Sequence, residues 1–556
     1  MMVAFSLYRA YFRLLYGLTG DSAMDQQTIF DAMTRANCYP HPVGMLEARE
    51  THISKVFLVD PWVYKIKKAV DLGFLDYSTL EKRHYYCQRE VDLNRRLSQG
   101  VYLKVVSLNE DDGRIAIQGP GRIAEYAVCM RLLPDKASLL RRLHAGLSSE
   151  SDMEELALTL HRFYSGQPSS PEVAAWGAPE VIADNCRDNF EAIGQINDDC
   201  IDPQKLEIPR AATRAMLGRR TALFRQRMEE GFIRDGHGDL RCGHIYFHNG
   251  LQIIDCIEFG ARYRCCDIAA DIGFLAMDLD NEGFSGHGQR LMEAYGELSA
   301  DAGLWELLNF YKVYRTMVRI KVNGLRLRDN HLGSTIRARL QRQTRRLLDL
   351  AVGYAMGFSV PRLWVFCGLP ASGKSTLADA LGRLSGAQVI SSDQVRKHLG
   401  RQTGIDRGPV PFHSGLYAPG VTDQVYAKMI NTAAGLLNNR QSVILDATFA
   451  RQAHRDHACQ LARDNGAALV FVECRVPMAI IRQRLQAREQ QGGWSDARLR
   501  HLADLLERQE SFDDLAPPTL MTVDSTCALP ILLQRILAHT HKRSSRLVAE
   551  KTRITA

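Results

Sequence analysis

The stretch Gly368-Leu369-Pro370-Ala371-Ser372-Gly373-Lys374-Ser375-Thr376 fits the pattern G-x-x-x-x-G-K-[ST] at every fixed position, and it constrains the fold more than any other part of the chain. Glycines at such positions let the backbone curl so that successive N–H groups converge on an anion. In a loop of this kind Lys374 reaches the β/γ-phosphate oxygens and the Ser375 hydroxyl holds Mg²⁺, with the helix start behind them favouring negative charge. The flanks suit this reading, because Leu363 to Cys367 has the pattern of a buried parallel strand and Thr376 to Leu381 that of a helix start. Further strand candidates at Ala387–Ile390, Ser442–Leu445 and Ala468–Val472 alternate with helical spacing. The pattern predicts a three-layer α/β parallel sheet over about 361–540 that binds ATP with Mg²⁺.

The loop starts well past the midpoint of 556 residues, and a prior of roughly 150 residues per domain leaves room for two to four domains. Hydrophobic residues at 46% and charged residues at 24% supply ample cores and exclude disordered and fibrous classes. A net charge of +7 owes much to a basic tail over 541–556 (His541, Lys542, Arg543, Arg546, Lys551, Arg553) and gives little support to a nucleic-acid partner. That tail reads as a solvated terminus. Thirteen cysteines without a C-x-x-C pair suit scattered free thiols in a reducing cytoplasm. No run of 18 apolar residues predicts a membrane span. Residues 1–24 are apolar, carry Arg9 and Arg13 and lack a cleavage site, and Met24 is a second candidate start, so they read as an N-terminal extension.

Upstream of the loop the spacing changes twice. Short strand-like runs, Ile53–Val59 and Trp62–Ile66, precede a helix-like segment at Tyr85–Leu97, and from about Ser138 to Leu350 the apolar spacing is mostly helical. A basic helix over Ser334–Asp349 then leads to a stretch with two glycines and a proline, which reads as a linker at 351–360.

Within the last domain, Ser391-Ser392-Asp393 follows a strand candidate at the edge where such sheets bind ligands. Asp393 suits a base for an acceptor hydroxyl and equally an N-cap of the next helix. Asp446 ends an apolar run and suits a metal ligand. Arg484 and Arg488 are spaced i, i+4, as a lid over phosphates or as a solvated helix face. Together these residues resemble the small P-loop kinases that include polynucleotide-kinase-like, gluconate-kinase-like and zeta-toxin-like proteins. The resemblance implies that Asp393 activates the acceptor, that Arg396 steadies it, and that Arg484 and Arg488 stabilise charge on the transferred group.

A second constellation is His237-Gly238-Asp239, followed after Leu251–Ile254 by Asp255. It resembles the catalytic loop and metal-binding strand of aminoglycoside phosphotransferases and other protein-kinase-like small-molecule kinases. The resemblance covers about 25–350, with a β-rich nucleotide lobe over about 45–135 and a helical lobe over about 136–350. It implies that Asp239 orients the acceptor hydroxyl, Asp255 binds Mg²⁺, Lys65 with its helix partner Glu90 holds the nucleotide, Glu125–Arg131 forms the adenine hinge, and Asp267 and Asp271 brace the loop. Lys67 and Lys68 compete with Lys65 for the lysine role. Two departures stand out. The metal-binding asparagine of that family is replaced by His244, a poor Mg²⁺ ligand, and Thr51–Leu58 contains no glycine.

The chain is therefore expected to be a two-domain α+β and α/β protein, protein-kinase-like in its N-terminal half, resembling bacterial cytoplasmic fusions of these two kinase types. The expected activity is ATP- and Mg²⁺-dependent transfer of a γ-phosphate to a small-molecule hydroxyl. Two alternatives remain open: a non-catalytic kinase-like sensor controlling a P-loop ATPase, and a nucleic-acid-end kinase.

Overall fold

A computed structural model describes residues 25–73, 75–329, 332–403, 418–491, 499, 502–515, 517 and 519–555. The chain divides into two compact units, residues 1–141 with 244–261, and residues 142–243 with 262–556.

The first unit is built on a six-stranded antiparallel sheet. Its strands are β1 (Leu46–Glu50), β2 (Ser54–Val59), β3 (Trp62–Lys67), β4 (Tyr102–Asp111), β5 (Arg114–Ile117) and β6 (Arg122–Arg131), in the order β1-β2-β3-β6-β4-β5. Period-two alternation on β3 separates its side chains. Tyr64 and Ile66 enter a core with Ile29 and Phe30, while Val63 packs with Cys87 and Val91 of helix α1 (Leu80–Asn94). Lys65 and Lys67 therefore share the face that meets α1. The stretch Glu125–Arg131 lies wholly within β6, and Glu125 is buried against Arg83 at 2.9 Å. Two short ribbons follow. In one, β7 (Ile233–Asp235) pairs with β10 (Cys265–Asp267), and in the other β8 (Ile245–Phe247) pairs with β9 (Leu251–Ile253). The second ribbon belongs to the first unit.

The second unit joins a helical bundle to the parallel sheet. The bundle includes α2 (Glu150–Gly166), α3 (Pro179–Gly194), α4 (Pro203–Arg219), α5 (Thr221–Glu229), α6 (Ile268–Glu282), α7 (Ser285–Ser299), α8 (Ala302–Leu327) and α9 (Ser334–Ser359). α6 is buried along nearly its whole length, which suits its high apolar content on every face. The stretch expected as a linker is helical instead. α9 continues through Gly353 and Gly357 to Ser359, and Gly357 is buried so close to Asn309 that a Cβ there would stand 2.8 Å from its Nδ2. Tertiary packing of Ala351 and Ala355 outweighs the helix cost of two glycines, about 1 kcal/mol each.

The sheet has strands β11 (Arg362–Cys367), β12 (Gln388–Ser391), β13 (Val443–Asp446), β14 (Ala468–Arg475) and β15 (Leu520–Asp524), all parallel, in the order β12-β13-β11-β14-β15. Every residue of β11 and β13 is buried, as central parallel strands require. Around it lie α10 (Lys374–Ser385), α11 (Ser392–Thr403), α12 (Pro419–Asn438), α13 (Met478–Gln491) and α14 (Leu529–Thr555). The start of the basic tail is docked rather than solvated. In α14, His541 faces Trp305 with ring centroids 5.6 Å apart, and Lys542 pairs with Glu293. Burial, and then the charges of Lys312 and Arg362, push the His541 pKa down to about 3. No helix among the described residues is long and apolar enough to cross a membrane.

Candidate functional site

The glycine loop joins the end of β11 to the start of α10. Gly368 has φ +120°, and a Cβ on it would stand 2.7 Å from the backbone oxygen of Cys474; Gly373 has φ +94°. Both glycines are therefore required by backbone geometry, and Ala371 itself adopts φ +65°. Lys374, buried at the first helical position, donates from Nζ to the Leu369 carbonyl at 2.7 Å, back across the loop. The Ser375 hydroxyl donates to Asp446 Oδ2 at 2.7 Å. Register aligns Phe366 with Asp446, which brings the acid of one strand end beside the loop of its neighbour. Ser372 is buried with a side-chain oxygen that has no partner among the described residues, and its carbonyl accepts from Ser525. Pro370 and Thr376 complete the loop and the first helical turn.

Burial lowers the Lys374 pKa, with Asp446 opposing, and burial raises that of Asp446, with Lys374 opposing. Each group is thus short of countercharge, and both sense the charge of Asp393. Asp393 stands in the first turn of α11, while Arg396, buried one turn on, donates to the Thr422 hydroxyl at 3.3 Å. Arg484 on α13 donates to the Ala371 carbonyl at 3.1 Å, at the loop itself. The side chain of Arg488 lies outside the described residues. Next to Arg396, Tyr426 stacks on His454 at 3.7 Å between centroids, and its hydroxyl lies 3.3 Å from that of Thr448. None of these three was legible as a site residue, because they come from two helices and a loop with no shared motif. The Gly368→Ala variant is expected to weaken nucleotide binding about 5- to 150-fold, since a strained φ and a backbone clash cost about 1–3 kcal/mol; titration calorimetry checks it.

The His237-Gly238-Asp239 loop of the second unit is held from behind. Asp271 on α6 accepts from the N–H groups of His237 at 2.6 Å and Gly238 at 2.9 Å, and Arg315 donates to the Gly238 carbonyl at 2.8 Å. Asp271 thus holds the backbone of this loop. Asp267 has a different partner, the buried Arg227, which it grips through both oxygens. Asp239 accepts from Arg241 Nε and Nη2, both at 2.9 Å. That bidentate clamp was not anticipated, although the two residues stand two apart in sequence.

In the first unit, Lys65 lies 2.8 Å from Glu90 and 2.7 Å from Asp255. Burial opposes its charge, but Asp255 and Glu90 outweigh that and hold its pKa well above the usual value. Lys67 is fully buried and bonds the other oxygen of Glu90 at 2.7 Å as well as Glu258, to which Tyr77 also donates. Geometry therefore separates the competing lysines. Lys65 touches both Glu90 and Asp255, Lys67 anchors α1 to Glu258, and Lys68 pairs at the surface with Glu50. Asp255 adopts φ +67°, a left-handed conformation uncommon outside glycine. Its N–H donates to the Tyr102 hydroxyl at 3.2 Å, and His244 Nε2 lies 3.6 Å from its Oδ2.

Residues 363–512 match the AAA domain family. Over the N-terminal part, the choline/ethanolamine kinase family protein of Mesorhizobium loti is similar at 15% identity and TM-score 0.34, over 58% of this chain and 99% of that one. The GDP complex of aminoglycoside 2'-phosphotransferase-IIIa is similar at 16% identity and TM-score 0.32, over 56% and 94%. A gluconokinase from Sinorhizobium meliloti is similar at 18% identity and TM-score 0.23, over 35% and 98%. The uncharacterized protein Rv2004c of Mycobacterium tuberculosis is 33% identical over 481 residues, which is 86% of this chain and 93% of that one. An identity of that size over most of both chains means that the chain belongs to the same family as Rv2004c.

Proposed function

We propose that the protein is an ATP- and Mg²⁺-dependent phosphotransferase whose phosphate-loop domain transfers the γ-phosphoryl group to a hydroxyl of a small molecule. The observation that carries this reading is the Ser375–Asp446 pair at 2.7 Å beside the buried Lys374. A hydroxyl and a carboxylate are the hard oxygen donors that Mg²⁺ prefers, so Ser375 and Asp446 would hold it. Mg²⁺ bound there would supply positive charge that offsets the negative charge of the triphosphate. Lys374 and the loop N–H groups hold the triphosphate, Arg396 orients the acceptor, and Arg484, with Arg488 on the same helix, neutralises charge on the group in flight. Transfer breaks the bond from the γ-phosphorus to the β–γ bridging oxygen and forms one to the acceptor oxygen. The acceptor proton passes to Asp393 and ADP leaves.

For the N-terminal half, Lys65 and Glu90 are the proposed nucleotide-binding pair, Asp255 the proposed metal ligand with His244 beside it, and Asp239 the proposed acceptor base. The bidentate Arg241–Asp239 clamp favours a second reading, in which this half binds a ligand and transfers nothing, because a carboxylate whose two oxygens are held by a guanidinium is a weak base. The test follows label from γ-labelled ATP into a pool of hydroxyl metabolites and oligonucleotides, with wild type, Lys374→Ala and Asp239→Asn. Transfer that needs Lys374 and survives Asp239→Asn is the expected result. Loss of transfer in Asp239→Asn alone would move the chemistry to the N-terminal half, and labelled oligonucleotide would identify a nucleic-acid-end kinase.

A further inference from the structure

A second cleft lies within the second unit, at the opposite end of the parallel sheet from the phosphate loop. Arg362, Gln388 and Ser442 line it at the starts of β11, β12 and β13, whereas the loop leaves the end of β11. A strand of six residues separates the two by roughly 20 Å. The cleft encloses about 820 Å³, enough for a metabolite-sized ligand.

Its charge is one-sided. Arg219, Arg220, Arg362 and Arg440 line it against a single acid, Glu306. Arg362 bonds Glu306 directly, and Arg220 Nη2 stands 3.6 Å from the same carboxylate. The side chains of Arg220, Arg362 and Glu306 are only 11%, 10% and 7% exposed, so two buried cations share one buried anion. Arg220 also donates to the Leu384 carbonyl in the last turn of α10, yet its Nε is buried with no partner among the described residues. A buried guanidinium with an idle donor and half a counter-ion is a preorganised anion receptor. Arg219 and Arg440 are exposed and add attraction at the cleft. The remaining wall mixes polar residues, Gln388, Gln441 and Ser442 among them, with an apolar part that includes Ile208, Met216, Phe358 and Trp364.

We propose that this cleft binds a small organic anion, a phosphate monoester or carboxylate with an apolar body, whose acid group pairs with Arg220 and whose body lies against the Phe358 and Trp364 side. Neither the phosphate loop nor the His237–Asp239 loop contributes to it.

The test is calorimetric titration of the full chain with 1-naphthyl phosphate, 1-naphthoate and the neutral 1-naphthol. Binding of at least one anion is expected, weakened about 10-fold or more by Arg220→Gln, as loss of a charge-assisted hydrogen bond worth about 1.5–3 kcal/mol implies. Arg440→Gln, at an exposed position that does not threaten the fold, is expected to weaken it by a factor of about 2–5. Lys374→Ala is expected to leave the affinity unchanged. Stronger binding of the phosphate or of the carboxylate identifies which acid the cleft prefers. Absence of binding by both anions, equal binding of 1-naphthol, or binding lost in Lys374→Ala but kept in both arginine variants would overturn the proposal. Since the proposed phosphotransfer does not enter these measurements, its failure and that of the cleft are separable.

Discussion

Lys374→Ala is expected to lower ATP-dependent transfer about 100- to 1,000-fold, the usual loss when one preorganised charge is removed from a transition state. The fold should survive. The ammonium makes one short bond, to Leu369, and burial already lowers its pKa, so its charge does not favour the folded state. A lysine whose folded pKa is lowered binds fewer protons folded than unfolded, so it contributes stability that rises with pH between the lowered value and the ordinary 10.5. The variant lacks that contribution and gains correspondingly at neutral pH. Unchanged circular dichroism with abolished transfer is the expected pair of observations, and undiminished ATP use would refute the assignment of the loop.

Arg227→Met is expected to be the most damaging single change to the helical part of the second unit, at about 3–5 kcal/mol. Arg227 is 1% exposed and reaches Asp267 through Nε and Nη2 at 2.6 and 2.7 Å, and Asp301 through Nη1 and Nη2 at 2.7 and 2.9 Å. These acids in turn cap helices, Asp267 at the start of α6 and Asp301 at the start of α8. Methionine fills the volume and leaves two buried carboxylates without a cation. Removing one partner of a buried ion cluster leaves the others without compensation for their lost hydration. The urea midpoint should drop sharply. An unchanged midpoint would mean that the cluster contributes nothing net to stability.

The phosphate loop, the strands on either side of it and the acid at Asp446 were readable because each depends on neighbours in sequence: the glycines on local φ, the strands on runs of apolar residues, the acid on its place at a strand end. The sheet order was not readable, since β11 pairs with β13 and β14 across long connections. In the first unit, β3 and its lysines were expected, but three lysines within four residues look alike until α1 presents Glu90 to two of them at once. The expected linker turned out helical because the buried face of α9 outweighs its glycines, and the expected solvated tail turned out docked because Lys542 and His541 meet partners more than 200 residues earlier.

Backbone chemistry and periodicity, which act over a few residues, thus marked the glycine loop between its strand and helix and many of the segments that become strand or helix. Pairings between distant residues belong to the tertiary structure alone. Arg227 and Asp301 lie 74 positions apart, and Arg220 and Leu384 lie 164 apart. Opposite charges are plentiful in any sequence of this composition, and only chain packing removes the water that would otherwise satisfy them separately.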